Sequence, residues 1–269
     1  LADGQTIESV LMLFRQKDGH DRTTCCISSQ TGCPLGCKFC GTGTLGAGRN
    51  LTVGELVGQV YAANQHCKEI GWPFLSNIVY MGMGEPLLNM TNVLKSLALF
   101  RHTEGQHLSG RHLTISTCGL VPQILALAEE ENPPELAISL HAATDEKRSA
   151  LMPVNRKYPL AELFAACSVY TNKTGRRITY EYAMFQGVND SMEDAQQLIS
   201  LLRGKLAHVN LIPANYLPQT GFYPSDSEMI KKFADKIEKS GLAVSIRYSR
   251  GQDIAAACGQ LKAQKEQGR

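Results

Sequence analysis

Residues 25–41 read CCISSQTGCPLGCKFCG, and within them Cys33, Cys37 and Cys40 form a C-x3-C-x2-C run. Three thiolates this close can grip one small inorganic object, and they cannot all pair as disulfides. A structural zinc site usually draws four protein ligands from two separated pairs. A tight triplet with no fourth Cys nearby points instead to an iron–sulfur cluster, whose irons take Cys thiolates as ligands. Three irons would then be held by protein and one left open to a small molecule. Gly32, Pro34, Gly36 and Gly41 punctuate the run as the loop a cluster needs.

This triplet resembles the signature of the radical S-adenosylmethionine (radical SAM) enzymes. In that superfamily the open iron chelates the amino and carboxylate groups of SAM, and the reduced cluster splits SAM into methionine and a 5′-deoxyadenosyl radical. The chain on either side is consistent with it. Residues 6–14 read as a strand, Lys17, Asp18 and Gly19 as a turn, and residues 23–29 as the returning strand. Alternation along that strand puts Cys25 and Cys26 on opposite faces. After the loop, Thr52 with Glu55 makes a capping box that opens a helix to about Glu69.

From there short apolar strands alternate with helices. Strands are expected at 77–81, 112–116, 136–140, 178–184, 208–212 and 243–248. Helices are expected at 91–100, 121–130, from near Asp145, at 159–172, from the cap Ser191 to about Leu206, and at 227–239. Strand–helix alternation argues for β/α units on a parallel sheet. The expected fold is therefore α/β, a partial (β/α)6 barrel of the radical SAM type with an N-terminal β-hairpin extension. Residues 1–22 form the extension. Residues 23–269 form the core, with a C-terminal extension that carries Cys258.

The chain has 269 residues, 43% hydrophobic and 19% charged, which suits one large domain. No apolar run reaches the ~18 residues of a membrane span, and no secretory signal opens the chain. Nine cysteines without such a signal favour a reducing cytoplasm and metal or catalytic use. A net charge of +2 permits nucleic-acid binding without demanding it. Arg49, Arg111, Arg148, Arg156, Lys157, Arg176, Arg177 and Arg250 are candidates for phosphate contact, with solvated surface charge as the alternative.

In parallel β/α folds ligands bind at the carboxyl ends of the strands. Those ends carry Gly84 and Glu85, then Ser116, then Ser139, Leu140 and His141, and later Asn215. Glycine exposes backbone to a close ligand, and the others supply hydrogen bonds for a zwitterionic, ribose-bearing cofactor. Each alone could be a turn, a helix cap, a core histidine or a loop residue; their recurrence is the signal. Cys26 and Cys258 stand apart from the triplet, and small neighbours around Cys258 would let a substrate approach. Cys25, Cys67, Cys118 and Cys167 read as small buried hydrophobes.

Longer motifs narrow the resemblance. CISSQTGC at 26–33, MGMGEPLLN at 81–89, LMPVNRKYPL at 151–160, GVND at 187–190 and ACGQL at 257–261 look like the RlmN/Cfr family of radical SAM adenine methyltransferases of RNA. The likeness runs from about Thr6 to Leu261, and GEPLLN resembles the housekeeping branch that acts on adenine C2. The chain starts at Leu1 rather than Met, and the family's small N-terminal accessory domain is expected to be absent.

The resemblance implies the following roles. Cys33, Cys37 and Cys40 ligate a [4Fe–4S] cluster. Gly84, Glu85, Ser116, Ser139, Leu140, His141 and Asn215 line the SAM site. Cys258 carries the methyl group, Cys26 resolves the intermediate, and Glu8 is a general base. Adenine C2 is electron-poor and will not attack the methyl of SAM, whereas a carbon radical can add to it. In the family, one SAM methylates Cys258, and the radical made from a second takes a hydrogen from that methyl group. The methylene radical adds to C2. Cys26 then attacks the Cys258 sulfur, forming a disulfide and releasing methyladenine. Implied partners are 23S rRNA, tRNA and an external flavodoxin-type reductant, the target base being unstacked, and the enzyme is expected to be a cytoplasmic monomer. Two other readings stand beside this one: the adenine-C8 antibiotic-resistance branch, and a silent RNA-binding relative.

Overall fold

The computed structural model describes residues 1–15, 19, 21–218 and 220–247. Among the described residues eight strands form one sheet in sequential order. β1 (Val10–Phe14) runs antiparallel to β2 (Arg22–Cys26). From β2 onward every pairing is parallel, through β3 (Leu75–Tyr80), β4 (Leu113–Thr117), β5 (Glu135–Ser139), β6 (Ile178–Met184), β7 (Ala207–Pro213) and β8 (Ala243–Ile246). Among the described residues no pairing joins β8 back to β1 or β2, so the barrel is open.

Helices connect the parallel strands. α1 (Gly41–Thr44) and α2 (Val53–Ile70) follow β2, α3 (Met90–Arg101) follows β3, and α4 (Val121–Leu127) follows β4. α5 (Asp145–Leu151) and α6 (Leu160–Thr174) follow β5, α7 (Met192–Leu202) follows β6, and α8 (Ser227–Lys239) follows β7. That is six β/α units and a closing strand, as the strand–helix alternation predicts. The capping box of α2 is formed: Glu55 N–H donates to the Thr52 hydroxyl at 3.2 Å, and Thr52 N–H donates to the Glu55 carboxylate at 2.8 Å. Ser191 and Asp194 repeat the device on α7. No described helix is long and apolar enough to cross a membrane.

Strand alternation builds the cavity. Positions facing the helices are large and apolar: Ile78, Ile115, Leu136, Ile138, Tyr180, Tyr182, Val209 and Leu211 are all buried in one core. The alternate positions are small or polar. Ser139 pairs with Glu181, Glu181 with Asn210, and Asn210 with Ser245, making one polar row across four strands. In a closed eight-stranded barrel the equivalent positions are filled by Val, Ile and Leu. Here they leave an interior that a ligand can enter.

Some boundaries differ from the sequence reading. β1 begins at Val10 rather than Thr6, so Glu8 precedes the strand. The segment before it is held by side chains: the Ser28 hydroxyl donates to the Glu8 carbonyl at 2.6 Å, and the Ser9 hydroxyl donates to Gln59 at 2.7 Å. α7 stops at Leu202, before the left-handed Gly204. α1 is a single turn with two glycines in four residues, too poor in helix formers to be read from propensity. Lys17 and Asp18 of the expected turn, and residue 248 of the expected last strand, lie outside the described residues.

Candidate active site

The triplet sits in a loop whose base is closed by backbone. Thr31 N–H donates to the Arg49 carbonyl at 3.1 Å, and Cys33 N–H donates to the Gly46 carbonyl at 2.8 Å. The two arms meet at Gly48, where an added Cβ would stand 2.2 Å from the Gly32 nitrogen. Lys38 N–H is tied to the Leu151 carbonyl at 2.9 Å, which pins the loop across the barrel mouth.

Cys33, Cys37 and Cys40 all line one cavity. Among the described residues no three His, Cys, Asp or Glu side chains converge to chelate a single ion. Burial pushes the Cys33 thiol up to about 12 and also raises Cys40. These thiols would give up their protons only to a metal, since a coordinating thiol is deprotonated outright. Cys37 differs. Its sulfur lies 3.9 Å from that of Cys118, and that contact lowers its pKa while raising that of Cys118.

Gly84, Glu85, Ser116, Ser139, His141 and Asn215 line the same cavity as the triplet. They come from the ends of four different strands and meet around one space. Gly84 has φ +95, and a Cβ there would stand 2.5 Å from the Cβ of Gln30. Glu85 is buried, which raises its pKa. Its carboxylate accepts the Cys118 N–H at 2.8 Å and the Leu87 N–H at 3.1 Å, capping the 3-10 turn Pro86–Asn89.

His141 is a non-glycine residue at φ +56, a strained conformation that clusters at functional sites. Its Nδ1 accepts the Ala183 N–H at 2.9 Å. The ring is therefore the Nε2–H tautomer, and burial holds its pKa down at about 3. Its edge meets Phe39 of the cluster loop with centroids 4.8 Å apart. Asn189, from the GVND stretch, donates to the His141 and Ala183 carbonyls, both at 2.7 Å, and accepts the Phe185 N–H at 2.7 Å. That one amide joins the ends of β5 and β6.

Three expected site residues lie elsewhere. Leu140 is wholly buried in the helix-facing core, and only its backbone takes part, its N–H donating to the Glu181 carbonyl at 3.0 Å. Cys26 is buried near the end of β2, paired with Val10 and Val79, and is not among the residues lining the cavity. Glu8 is half-buried before β1 and does not line it either. Cys258 lies outside the described residues, so the Cys26–Cys258 pair has no geometry to report.

Several cavity residues were not expected. Cys118 stands against Cys37 instead of lying inert in the core; Cys25, Cys67 and Cys167 are the buried hydrophobes they read as. Glu181 and Arg247 also line the cavity. Burial raises the Glu181 pKa and the Arg247 charge opposes that rise. The signal for Glu181 was available, as a carboxylate at an inward position of an apolar strand.

Among the expected phosphate contacts, Arg148 is wholly buried and faces no solvent. Arg49 is committed to Asp3 and, through both terminal nitrogens, to Glu55, and Arg176 is paired with Glu135. Arg111, Arg156, Lys157 and Arg177 are exposed, and Arg250 lies outside the described residues.

Comparison with known proteins bears on this arrangement. Residues 27–199 match the model of the Radical SAM superfamily. A probable dual-specificity RNA methyltransferase RlmN of Moorella thermoacetica is 51% identical over 263 residues, covering 97% of this chain and 74% of that protein. The dual-specificity RNA methyltransferase RlmN of an Anaeromyxobacter species is 48% identical, covering 97% and 69%. The crystal structure of a radical SAM methyltransferase from Sphaerobacter thermophilus superposes with a TM-score of 0.89 at 47% identity, covering 96% of this chain and 78% of that one. A cysteine triplet on the rim of an open parallel barrel, with likeness of this extent and length, has one reading: the chain belongs to the RlmN family of radical SAM RNA methyltransferases.

Proposed function

We propose that this enzyme methylates C2 of adenine in ribosomal RNA and tRNA. The observation that supports the reading is the convergence of three thiols with Gly84, Glu85, Ser116, Ser139, His141 and Asn215 on one cavity, in a chain of the RlmN family. The donor set fits the cofactors that family implies. Three thiols suit an iron–sulfur cluster with one open iron, held by Cys33, Cys37 and Cys40. When bound, the cluster and SAM would together supply the methyl group and one-electron chemistry.

The remaining roles belong to the chain's own side chains. Ser116, Ser139 and Asn215 offer hydrogen bonds to a ribose or an amino-acid end. His141 presents an N–H donor at any pH above about 3, because Ala183 occupies its other nitrogen. Phe39 and Phe185 exclude water from the same wall. Cys258 is the nucleophile that carries the methyl group, as a thioether. Cys26 attacks the Cys258 sulfur, so that an S–S bond forms as the C–S bond to the base breaks. A two-electron reductant then returns both thiols. Glu8 is the base for the C2 proton. Residues 23–269 act as the catalytic core and residues 1–22 as an extension, in a cytoplasmic monomer served by a flavodoxin-type donor.

The test is anaerobic incubation with SAM, reductant and an rRNA fragment, followed by nucleoside mass spectrometry. 2-Methyladenosine is the expected product. 8-Methyladenosine would move the protein to the other branch, and SAM turnover without methylated nucleoside would overturn the reading.

A further inference from the structure

Arg148 is the largest fully buried side chain among the described residues. Its guanidinium makes four hydrogen bonds: Nε to the Leu140 carbonyl at 3.2 Å, Nη1 to the Asn155 side-chain oxygen at 2.8 Å, and Nη2 to the carbonyls of Cys118 at 2.7 Å and Ser139 at 3.1 Å. Every acceptor is neutral. Among the described residues it forms no ion pair.

The neighbouring residue shows what the fold does elsewhere. The buried carboxylate of Asp194 is matched by Lys147 at 2.7 Å. The nearest carboxylate in its network is Asp145, whose charge favours the protonated guanidinium but reaches it through Asn155, which accepts from Nη1 at 2.8 Å and donates to Asp145 Oδ1 at 2.9 Å. A buried charge is normally paired, and leaving one unpaired is strongly destabilising. The direct partners of Arg148 are thus all neutral, and Asp145 acts on it only through Asn155, so its charge remains open to a further negative group in the cavity wall.

The geometry says where that charge sits. The Cys118 carbonyl that binds Nη2 belongs to the residue whose sulfur lies 3.9 Å from Cys37. The field of Arg148 acts on Cys37, and on His141 across the same wall. A four-iron cluster on three thiolates is net negative and becomes one unit more negative on one-electron reduction. A fixed positive charge in a low-dielectric wall favours the more negative state.

We propose that Arg148 is the buried counter-charge of the cluster and raises its reduction potential, so that a low-potential one-electron donor can load the electron. This rests on the assignment of the cluster to Cys33, Cys37 and Cys40. The acceptor of the electron is the oxidised cluster, and no proton or bond change accompanies the step. Arg148 acts as a positioning and electrostatic residue and touches no reacting atom.

The experiment uses anaerobically reconstituted enzyme. Iron and sulfide are counted first; an iron-free wild type would defeat the cluster assignment and the proposal with it, whereas a loaded wild type makes the midpoint a test of Arg148 alone. A redox titration followed by electron paramagnetic resonance then compares wild type, Arg148→Lys and Arg148→Gln. Lys keeps the charge and should hold the midpoint within a twofold change in the reduction equilibrium. Gln keeps hydrogen bonds without charge and should lower that equilibrium at least tenfold, a shift of 59 mV toward negative potential for one electron. A purely structural tie would leave the Gln midpoint at the wild-type value, which overturns the proposal. If the Gln variant loses its iron, Arg148→Met replaces it, uncharged and close to the arginine stem in length. A negative shift there supports the proposal, and an unmoved midpoint overturns it.

Discussion

The two walls of the cavity hold their polar groups in different ways. On the wall built from the ends of β3, β4 and β5, side chains bind backbone. Glu85 takes two backbone N–H groups, Arg148 takes three carbonyls, and His141 takes one N–H. On the wall built from β6, β7 and β8, side chains bind each other. Asn210 donates to Glu181 at 2.9 Å, Ser245 donates to Asn210 at 2.9 Å, and Ser245 meets His208 at 2.8 Å. Backbone partners cannot change rotamer, so the first wall is fixed when the chain folds. The second ends in β8, whose burial alternates between exposed and intermediate, and it can adjust. A fixed wall suits a cofactor that is always the same, with Asn215 facing it from the end of β7, and an adjustable one suits an RNA that enters and leaves. Rigid support around reacting groups is what preorganised catalysis requires.

The largest effect expected from breaking the fixed wall is at its metal-binding edge. Cys37→Ser should remove the cluster entirely, with iron per chain falling to background after reconstitution and methylation undetectable. Retention of about four irons would show that Cys118, 3.9 Å away, can serve in its place, and the double variant with Cys118→Ser would then decide.

Next comes Gly84→Ala. The residue sits at φ +95 and the new Cβ meets Gln30 at 2.5 Å, while Gln30 itself accepts the Glu85 N–H at 2.8 Å. Strain and collision together should destabilise the protein by about 2–4 kcal/mol, read by chemical denaturation of the apo enzyme. A loss below about 1 kcal/mol would mean that this wall yields as the other does.

His141 gives the fixed wall a pH signature. Its folded pKa is about 3, against an ordinary 6.5. Between those values the unfolded chain binds the extra proton, so stability rises with pH from 3 to 6.5 and is lost as pH falls through that window. The full effect is on the order of several kcal/mol by that linkage. Denaturation midpoints of wild type and His141→Gln from pH 4 to pH 7 should converge on the acid side. Parallel curves would mean the ring is not held neutral.

The fixed wall was also the legible one. A cysteine triplet with glycines and a prolyl turn, and strand ends bearing Gly, Ser and His, are local patterns, and the open barrel follows from alternating periods. What stayed hidden depends on tertiary contacts. Arg148 reads as a surface cation in DEKRSAL, because nothing in the helix reveals that its outer turn is covered by the ends of β4 and β5. Cys118 reads as a hydrophobe until the loop brings Cys37 to it. Glu181 lies mid-strand among aromatic residues, and only the register with Asn210 and Ser245 makes it part of a row. Leu140 takes its place between Ser139 and His141 by backbone alone, since alternation along the strand turns its side chain to the other face.

Glu181→Gln should have the smallest effect of the series, and it bears most directly on the adjustable wall. The substitution keeps the shape and one acceptor for Asn210, and removes the charge that faces Arg247. Because Asn210 and Ser245 can follow a changed partner, stability should fall by no more than about 1–2 kcal/mol, the scale of one hydrogen bond to a charged group. Iron content should equal that of wild type. The charge of the cavity wall beside Arg247 would become more positive, so the change should appear in KM for RNA, by roughly tenfold or less for a change of about 1 kcal/mol, with kcat nearly kept. Steady-state kinetics at several RNA concentrations read the split. If iron is lost, or if kcat falls while KM holds, Glu181 belongs with the fixed wall, and the division between a cofactor side and a substrate side fails at the strand where the two meet.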